Sequence, residues 1–390
     1  MKILFFDSPA FAKQDMIDAF EDMNIACDLF FHEEYNDRQS TAFSAAFDVA
    51  LQKASYDFVF SFNYYPILSS CCQRHGIRYV SYVYDSPLVA LYSCTLINPC
   101  NYVFLFDYTL YTEFCRKNLG HIFYLPLGCD LPHYDSIIPT PQDHANYDCD
   151  VSFVGSLYTE KSPYHAIRTQ LPSYIQGYFD GILHAQQLVY GYNFLCDIIP
   201  PDLMDTLDQL IDVSPSPGYD LDKRTLLGNL LLNPMCTEME RIHLLNSIGE
   251  HFSLDLYTQS DTSPLKNIRL RGIASSLDGM PKVFKCSKIN LNLTAKGIQS
   301  GASLRIFDVL GCGGFLLSNY QSELPQLFEV GRELVLFDSE ADLLDKISYY
   351  LHHEDERREI ATNGYQRIRQ EYSYQARLAL MLDVRHSLSI

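Results

Sequence analysis

No apolar run in this 390-residue chain approaches the roughly 18 residues that a membrane-spanning helix needs. Positive charge is scarce: 29 Lys and Arg stand against 48 Asp and Glu, a net charge of -19. That balance leaves no global electrostatic footprint for nucleic acid or anionic lipid, although it is compatible with a local basic pocket. Tryptophan is absent, so ring stacking and aromatic packing fall to 28 Tyr and 24 Phe. The 12 cysteines include no C-x-x-C pair and no close Cys/His cluster of the kind a zinc site uses. They read as reduced thiols of a cytoplasmic protein. The opening Met1–Asp7 has one positive charge and a short apolar run ended by Asp7, the pattern of a buried strand and not of a signal peptide. At 47% hydrophobic and 20% charged residues, the composition is that of a folded globular chain.

Residues 1–130 alternate strand-like and helix-like segments. Apolar runs at Lys2–Asp7, Ala26–Phe31, Asp57–Phe62, Arg78–Tyr84, Tyr102–Phe106 and His121–Leu127 are separated by stretches with helical spacing. That alternation implies parallel βαβ units, and the near-continuous apolar runs imply strands buried on both faces. The segment Ser136–Tyr147, with Pro139, Pro141, Asp143 and Asn146, is expected to be a linker. A second alternating series begins at Asp150 and contains a mostly helical segment, 161–245, before further strands near 252–257, 267–271, 288–293, 314–318 and 334–337. The closing stretch Glu354–Leu382 is amphipathic and helical. The expected fold is α/β, with two mostly parallel sheets in tandem: a first domain over 1–140, a second over 148–365, and a terminal helical segment 366–390. In such sheets ligands bind beyond the carboxyl ends of the strands.

Three places carry chemistry at those ends. Gly155-Ser156 follows a strand directly, where glycine lets backbone amides approach an anion; a glycine in any βα turn looks the same. The stretch Asn292–Asp308 is richer. A strand ends near Thr294, a Gly/Ser loop holds Ser300 and Gly301, and a helix begins at Ser303, a good N-cap residue. Arg305 falls in that helix's first turn, where the macrodipole disfavours a cation. A diphosphate resolves the conflict, because Arg suits bidentate phosphate contact. Asp308, at i+3 on the same face, is placed either to accept from ribose hydroxyls or to pair with Arg305. Glu323 is expected to begin the next helix. In the first half, Asp7-Ser8-Pro9 and Asp85-Ser86-Pro87 both follow strands, where a general base belongs; Asp-Ser-Pro is equally a turn or cap sequence. Two Asp-x-Asp triples, Asp148/Asp150 and Asp220/Asp222, are of the kind that holds a divalent metal near phosphates. The first lies at the start of a strand, the wrong end, and the second in a Pro/Gly-rich turn, so neither is expected to bind a metal.

From Lys282-Val-Phe-Lys-Cys-Ser-Lys-Ile-Asn-Leu-Asn-Leu-Thr294 through Gly301–Asn319, Glu323–Phe328 and Glu356–Tyr365, the chain resembles the C-terminal half of the CgeB-type (spore maturation protein) glycosyltransferases. Phe153–Ser156 matches the start of that domain, and the N-terminal part resembles the domain of unknown function that often accompanies it. The resemblance implies a GT-B architecture of two Rossmann-like domains facing across a cleft, with the last helix crossing back to the first domain. It also implies a nucleotide-sugar donor on the second domain and the acceptor mainly on the first, with no bound metal and no cofactor. Related enzymes carry a carboxylate pair spaced seven apart around the helix at Arg305; here Asp308 fills the second position, but Gly301 occupies the first.

The expected activity is therefore transfer of a sugar from a nucleoside diphosphate donor, a UDP-sugar being favoured, to a hydroxyl of a protein, glycan or small molecule. Gly155, Ser156, Ser300, Gly301, Ser303 and Arg305 are expected to hold the donor diphosphate and Asp308 its ribose, with Thr294 also at the donor site. Tyr257 and Thr258 would line the donor pocket, with Met280 and Pro281 beside the nucleobase. Asp85 is the first choice of general base and Asp7 the second. The alternatives are a non-catalytic nucleotide-sugar or glycan-binding protein, and a metal-dependent enzyme using one of the Asp triples.

Overall fold

A computed structural model describes residues 1–9, 12–117, 119, 121–210 and 214–387. Parts of the expected helical segments at 211–213 and 388–390 lie outside the described residues. Among the described residues, no helix is long and apolar enough to cross a membrane. The chain divides into two units. The first comprises Met1–Asp130, the short return Ser216–Leu221 and the chain from Glu371 on. The second comprises Leu131–Pro215 and Asp222–Gln370.

The first unit is built on a six-stranded sheet: β1 (Lys2–Phe6), β2 (Ala26–Phe30), β3 (Phe58–Phe62), β4 (Tyr79–Val83), β5 (Asn101–Leu105) and β6 (Ile122–Tyr124). The order is β2-β1-β3-β4-β5-β6, and all pairs are parallel. Every residue of β3, β4 and β5 is buried, because helices cover both faces. The phenylalanines fill that core: Phe5 packs on Phe20, Phe60 and Phe62, while Phe30 packs on Phe43 and Phe47. Helix starts follow local chemistry. Ser40 accepts from the amide of Phe43 (2.9 Å) to cap Thr41–Leu51, and Asp107 caps Tyr108–Arg116. Strand order reverses at β1, whose chain leaves to one side for β2 and returns on the other as β3. The ends of β1 and β3 therefore flank the switch point where open α/β sheets bind ligands.

The amphipathic stretch after Glu354 is not one helix. It breaks between Glu354–Glu371 and Tyr374–Ser387, where Ser373 makes a parallel bridge to Cys129. The second of these helices packs on Lys13–Asp22 of the first unit, and Gln375 donates to Asp22. The return Ser216–Leu221 is bound as firmly. Tyr219 bridges to Ser93, Cys94 donates its amide to the carbonyl of Gly218 (2.8 Å), and Lys117 pairs with Asp220 (2.9 Å).

The second unit repeats the plan with β7 (Cys149–Val154), β8 (Leu254–Tyr257), β9 (Arg269–Leu270), β10 (Ser287–Asn292), β11 (Leu316–Asn319) and β12 (Val335–Phe337), in the order β12-β11-β10-β7-β8-β9. All its pairs are parallel. Here the switch point falls between β7 and β10. The expected linker Ser136–Tyr147 is instead helical over Pro141–Tyr147. Thr140 and Asp143 form a capping box, with Pro141 at the first turn, so the residues that read as a turn are helix-start residues. The helical segment between β7 and β8 ends in Asn233–His251, whose Leu244, Leu245 and Ile248 pack on the sheet.

Candidate active site

The carboxyl ends of β7 and β10, at the switch point of the second unit, collect most of the residues expected to bind a donor. The geometry begins with two asparagines. Asn290 and Asn292 sit two apart on β10 and are buried, so they share one face of the strand. Asn290 accepts from Ser152 of β7 (3.0 Å) and donates to the carbonyls of Phe284 and Phe315. Asn292 donates to Thr294 Oγ1 (3.0 Å) and to Ser318 Oγ (2.9 Å). Its Oδ1 accepts from the hydroxyl of Ser303 (3.2 Å).

That last bond has a consequence for the helix Leu304–Gly311. Ser303 occupies the N-cap position with extended backbone, yet its side chain caps nothing. The first-turn amide of Arg305 therefore lacks the partner a serine cap ordinarily supplies, while that of Ile306 donates to the Ser303 carbonyl (3.0 Å). Among the described residues, no backbone acceptor engages the amides of Gly301, Ala302 or Ser303 either. The loop behind them is fixed by Glu323. That carboxylate does not cap the short helix Leu324–Leu327, as its position suggests. It is buried and accepts from Ser300 Oγ (2.5 Å), while its amide donates to the Ser300 carbonyl. Thr294 is likewise held from below, its amide donating to Asn319 Oδ1 (2.7 Å).

Arg305 projects from this turn with its side chain 23% exposed. One Nη1–H donates to Asp308 Oδ2 (3.0 Å), Met280 Sδ lies 3.4 Å away, and the guanidinium stacks on Phe284 at 5.1 Å. Asp308 is buried; its other oxygen accepts from Tyr134 Oη (2.8 Å). Burial raises its carboxyl above the usual range, with Arg305 and Tyr134 pulling the other way. Of the two roles open to Asp308, pairing with Arg305 is the one the geometry contains.

The other half of the switch point differs in detail. The amide of Gly155 is not open: it donates to the carbonyl of Tyr257 (3.0 Å) and closes the ladder to β8. Ser156 Oγ donates to Glu160 and accepts from the amide of Tyr158, and the Leu157 amide donates to Ser260 Oγ. Tyr257 ends β8 and is buried, with its phenol raised by desolvation. Thr258 accepts from the amide of Ser260 (3.1 Å). Met280 and Pro281 lie in the first turn of the helix Gly279–Cys286.

Two cations here were not singled out from the sequence. Arg241, 8% exposed, donates to the carbonyls of Ser156 and Leu293, both at 2.5 Å. It thereby clamps the loop after β7 to the loop after β10. Its guanidinium lies over Tyr158 (4.9 Å) and Phe153 (5.5 Å). Burial lowers its pKa, and no carboxylate among the described residues is within ion-pair distance of it. Lys296, in the loop after β10, pairs with buried Glu240 (2.7 Å) and sits over Tyr190 at 4.7 Å. The signal for both lay in the helix Asn233–His251, which buries Glu238, Glu240 and Arg241 beside Leu244 and Leu245. Charges on an apolar stripe are costly unless employed.

In the first unit, Asp7 follows β1 and pairs with Lys13 at 2.5 Å. Asp85 follows β4 and is exposed. Asn63, beyond β3, orients it: Asn63 Nδ2 donates to Asp85 Oδ2 (2.8 Å), and Asn63 Oδ1 accepts from the amides of Tyr84 and Asp85. The Asp triples do other work. Asp148 accepts from His144 (2.9 Å) and Asp150 pairs with Lys288 (2.7 Å). Asp220 pairs with Lys117 in the first unit, whereas Asp222 caps the helix Lys223–Leu227 in the second.

Two parallel-sheet Rossmann-like units of this kind define the GT-B fold, and solved structures bear that out along the whole chain. The Anabaena protein HepE, solved with UDP and glucose, aligns over 100% of this chain and 99% of its own at 13% identity, with a TM-score of 0.55. A glycosyltransferase from Rickettsia africae aligns over 98% and 97% at 10% identity and TM-score 0.56. A sucrose-phosphate synthase from Thermosynechococcus elongatus aligns over 100% and 99% at 10% identity and TM-score 0.54. Residues 231–383 match the model of a family described as glycosyl transferase-like. That span holds Arg241, the loop after β10, Arg305, Asp308 and Glu323. No curated protein matches the chain.

Proposed function

We propose that the protein is a glycosyltransferase of the CgeB-like type, which moves a sugar from a nucleoside diphosphate donor, a UDP-sugar first among them, to a hydroxyl acceptor on a protein, glycan or small molecule. One observation carries the reading: Ser303 stands at a helix N-cap without capping it, so open amides face the switch point beside Arg305. An uncapped helix N-terminus is a ready anion site. When the bond from the sugar to the diphosphate breaks, negative charge gathers on the departing phosphate oxygens. The amides of Gly301–Leu304 and the guanidinium of Arg305 stabilise that charge in the transition state. Arg241 holds the loops after β7 and β10 in register and adds a positive field from beneath. Asp308 keeps Arg305 aimed, rather than binding ribose. Asp85, oriented by Asn63, takes the proton of the acceptor hydroxyl; Asp7, engaged by Lys13, is the weaker choice.

Because cations and amides supply the charge stabilisation, the reaction runs without a metal, and full turnover is expected in excess chelator. The test is release of UDP from UDP-sugars by the full chain, alongside thermal shift. A donor at one hundred times its Kd should stabilise the protein by about 2.7 kcal/mol. Asp85→Asn should retain that shift while turnover falls about 10²–10⁴-fold. Saturable nucleotide binding with no UDP release under any acceptor would make the protein a nucleotide-sugar binder instead.

A further inference from the structure

The opposite edge of the second sheet holds a cavity that the proposed reaction does not use. It has a volume of about 350 Å³ and opens at the amino ends of β7, β10 and β11, beside the Gly313–Gly314 turn. The six residues of β10, at roughly 3.3 Å each, place it about 20 Å from the carboxyl edge.

Its charge runs against that of the chain. Against a net charge of -19, the cavity is lined by four cations, Lys285, Lys288, Arg357 and Arg358, and two carboxylates, Asp148 and Glu354. Two of the cations are already engaged: Lys288 pairs with Asp150 (2.7 Å), and Arg358 pairs with Glu354. Among the described residues, no carboxylate lies within ion-pair distance of Lys285 or Arg357. Arg357 is 7% exposed, and its Nη1 donates to the carbonyl of Tyr350 (2.8 Å). Its Nε and Nη2 find no acceptor among the described residues and keep access to solvent, and Arg357 lines the cavity.

Helix C-termini converge on the amino edge of a parallel sheet, and cations often serve them. Here those carbonyls are already bonded. Val283 accepts from Ser287, Phe284 from Asn290, and Asp308, Leu310 and Val309 from the amides of Cys312, Gly313 and Gly314. The unused donors of Arg357 are therefore available to a ligand. The cavity's volume equals about twelve water molecules at roughly 30 Å³ each, room for a phosphoryl group on a ring-sized body.

We propose that this cavity binds a small phosphorylated molecule, with its phosphoryl group on Arg357 and Lys285 and its body against Phe284, Phe315 and the Gly313–Gly314 turn. His144, Asp148 and Cys286 lie on the same rim, with ligand atoms within 4.8 Å of one another. The Cys286 thiol is pushed up to about 11 by burial, which makes it a poor metal ligand at neutral pH.

The test is calorimetric titration of the full chain with a monosaccharide phosphate, and with inorganic phosphate as the second probe. Saturable binding of the sugar phosphate is expected. Arg357→Met and Lys285→Ala should each weaken it at least about tenfold, or 1.4 kcal/mol. Saturating UDP should leave it unchanged, which separates this site from the donor reading. Lys285 is only half-buried, so Lys285→Ala decides the matter if Arg357→Met fails to fold. Undiminished binding in Lys285→Ala, competition by UDP, a strict need for a divalent metal, or no saturable binding at millimolar concentrations would each overturn the proposal. So would binding of inorganic phosphate alone, since the body of the ligand would then have no place.

Discussion

Replacing Arg305 by Ala removes two things that the structure allows to be measured apart. The first is charge stabilisation of the leaving diphosphate. Losing one preorganised donor of that kind costs about 10²–10³ in turnover, or roughly 2.7–4 kcal/mol. The second is the partner of Asp308, a buried carboxylate with Arg305 Nη1 at 3.0 Å and Tyr134 at 2.8 Å. Breaking a buried pair typically costs about 3–5 kcal/mol. Protonation limits that cost: converting a carboxylate of ordinary pKa near 3.9 to its acid at pH 7 takes about 4 kcal/mol, at 1.36 per unit. At pH 5 the same step takes only about 1.5 kcal/mol. Burial raises Asp308, so its native form holds a proton more readily than its unfolded form. Without Arg305 that difference grows. The variant's stability deficit should thus be absent below the unfolded carboxylate pKa, increase as pH rises, and level off above the folded pKa.

Thermal unfolding of wild type and Arg305→Ala at pH 5 and pH 7 reads the deficit, and UDP release reads the turnover. Adding Asp308→Asn to Arg305→Ala should recover most of the stability, because the uncompensated charge is gone, and none of the turnover. The reasoning fails if Arg305→Ala turns over like wild type, if its stability deficit does not change with pH, or if Asp308→Asn restores activity.

Glycine positions give opposite expectations within the second unit. A Cβ on Gly364 would press on the Glu333 carbonyl and come within 2.7 Å of Leu310 Cδ2, so Gly364→Ala should lower stability by about 1–3 kcal/mol. Gly177 and Gly181 lie in the helix Ser173–Gln187 with nothing within 4 Å of a new Cβ, so alanine at either should raise stability by about 0.5–1 kcal/mol. Denaturation midpoints check both. Glu340 is held below the usual carboxylate range by the hydroxyl of Ser247 and then by His243. Its contribution is present above the unfolded value near ~4.3 and is lost as pH falls through the folded one. Glu340→Gln should flatten the acid limb of midpoint against pH, and an unchanged limb would refute the assignment.

How far the sequence discloses this molecule depends on the kind of signal. Strands such as β3, β4 and β5 are buried on both faces, so they appear as unbroken apolar runs, and the alternation with helices marks parallel sheets without further information. The switch-point loop after β10 is legible for a similar reason: glycine, serine and an arginine in a helix's first turn conflict with local propensity, and such conflict marks function. Residues whose role depends on a partner far along the chain are not legible. Ser303 has the right type and place for a cap, and only the tertiary position of Asn292 shows that its hydroxyl is spent elsewhere. Glu323 has the right place for a helix start, and only Ser300, 23 residues earlier, reveals that it braces a loop. The Thr140–Asp143 capping box uses the same proline, threonine and aspartate that make turns, so composition alone points to a linker. Arg241 is the instructive case. Helical periodicity puts it beside Leu244 and Leu245, where a buried charge contradicts the pattern. Ranking such contradictions above motif likeness singles out Arg241, and with it Arg357, which breaks the same rule at the other edge of the sheet, but the carbonyls of Ser156 and Leu293 that Arg241 clamps lie too far along the chain to be read the same way.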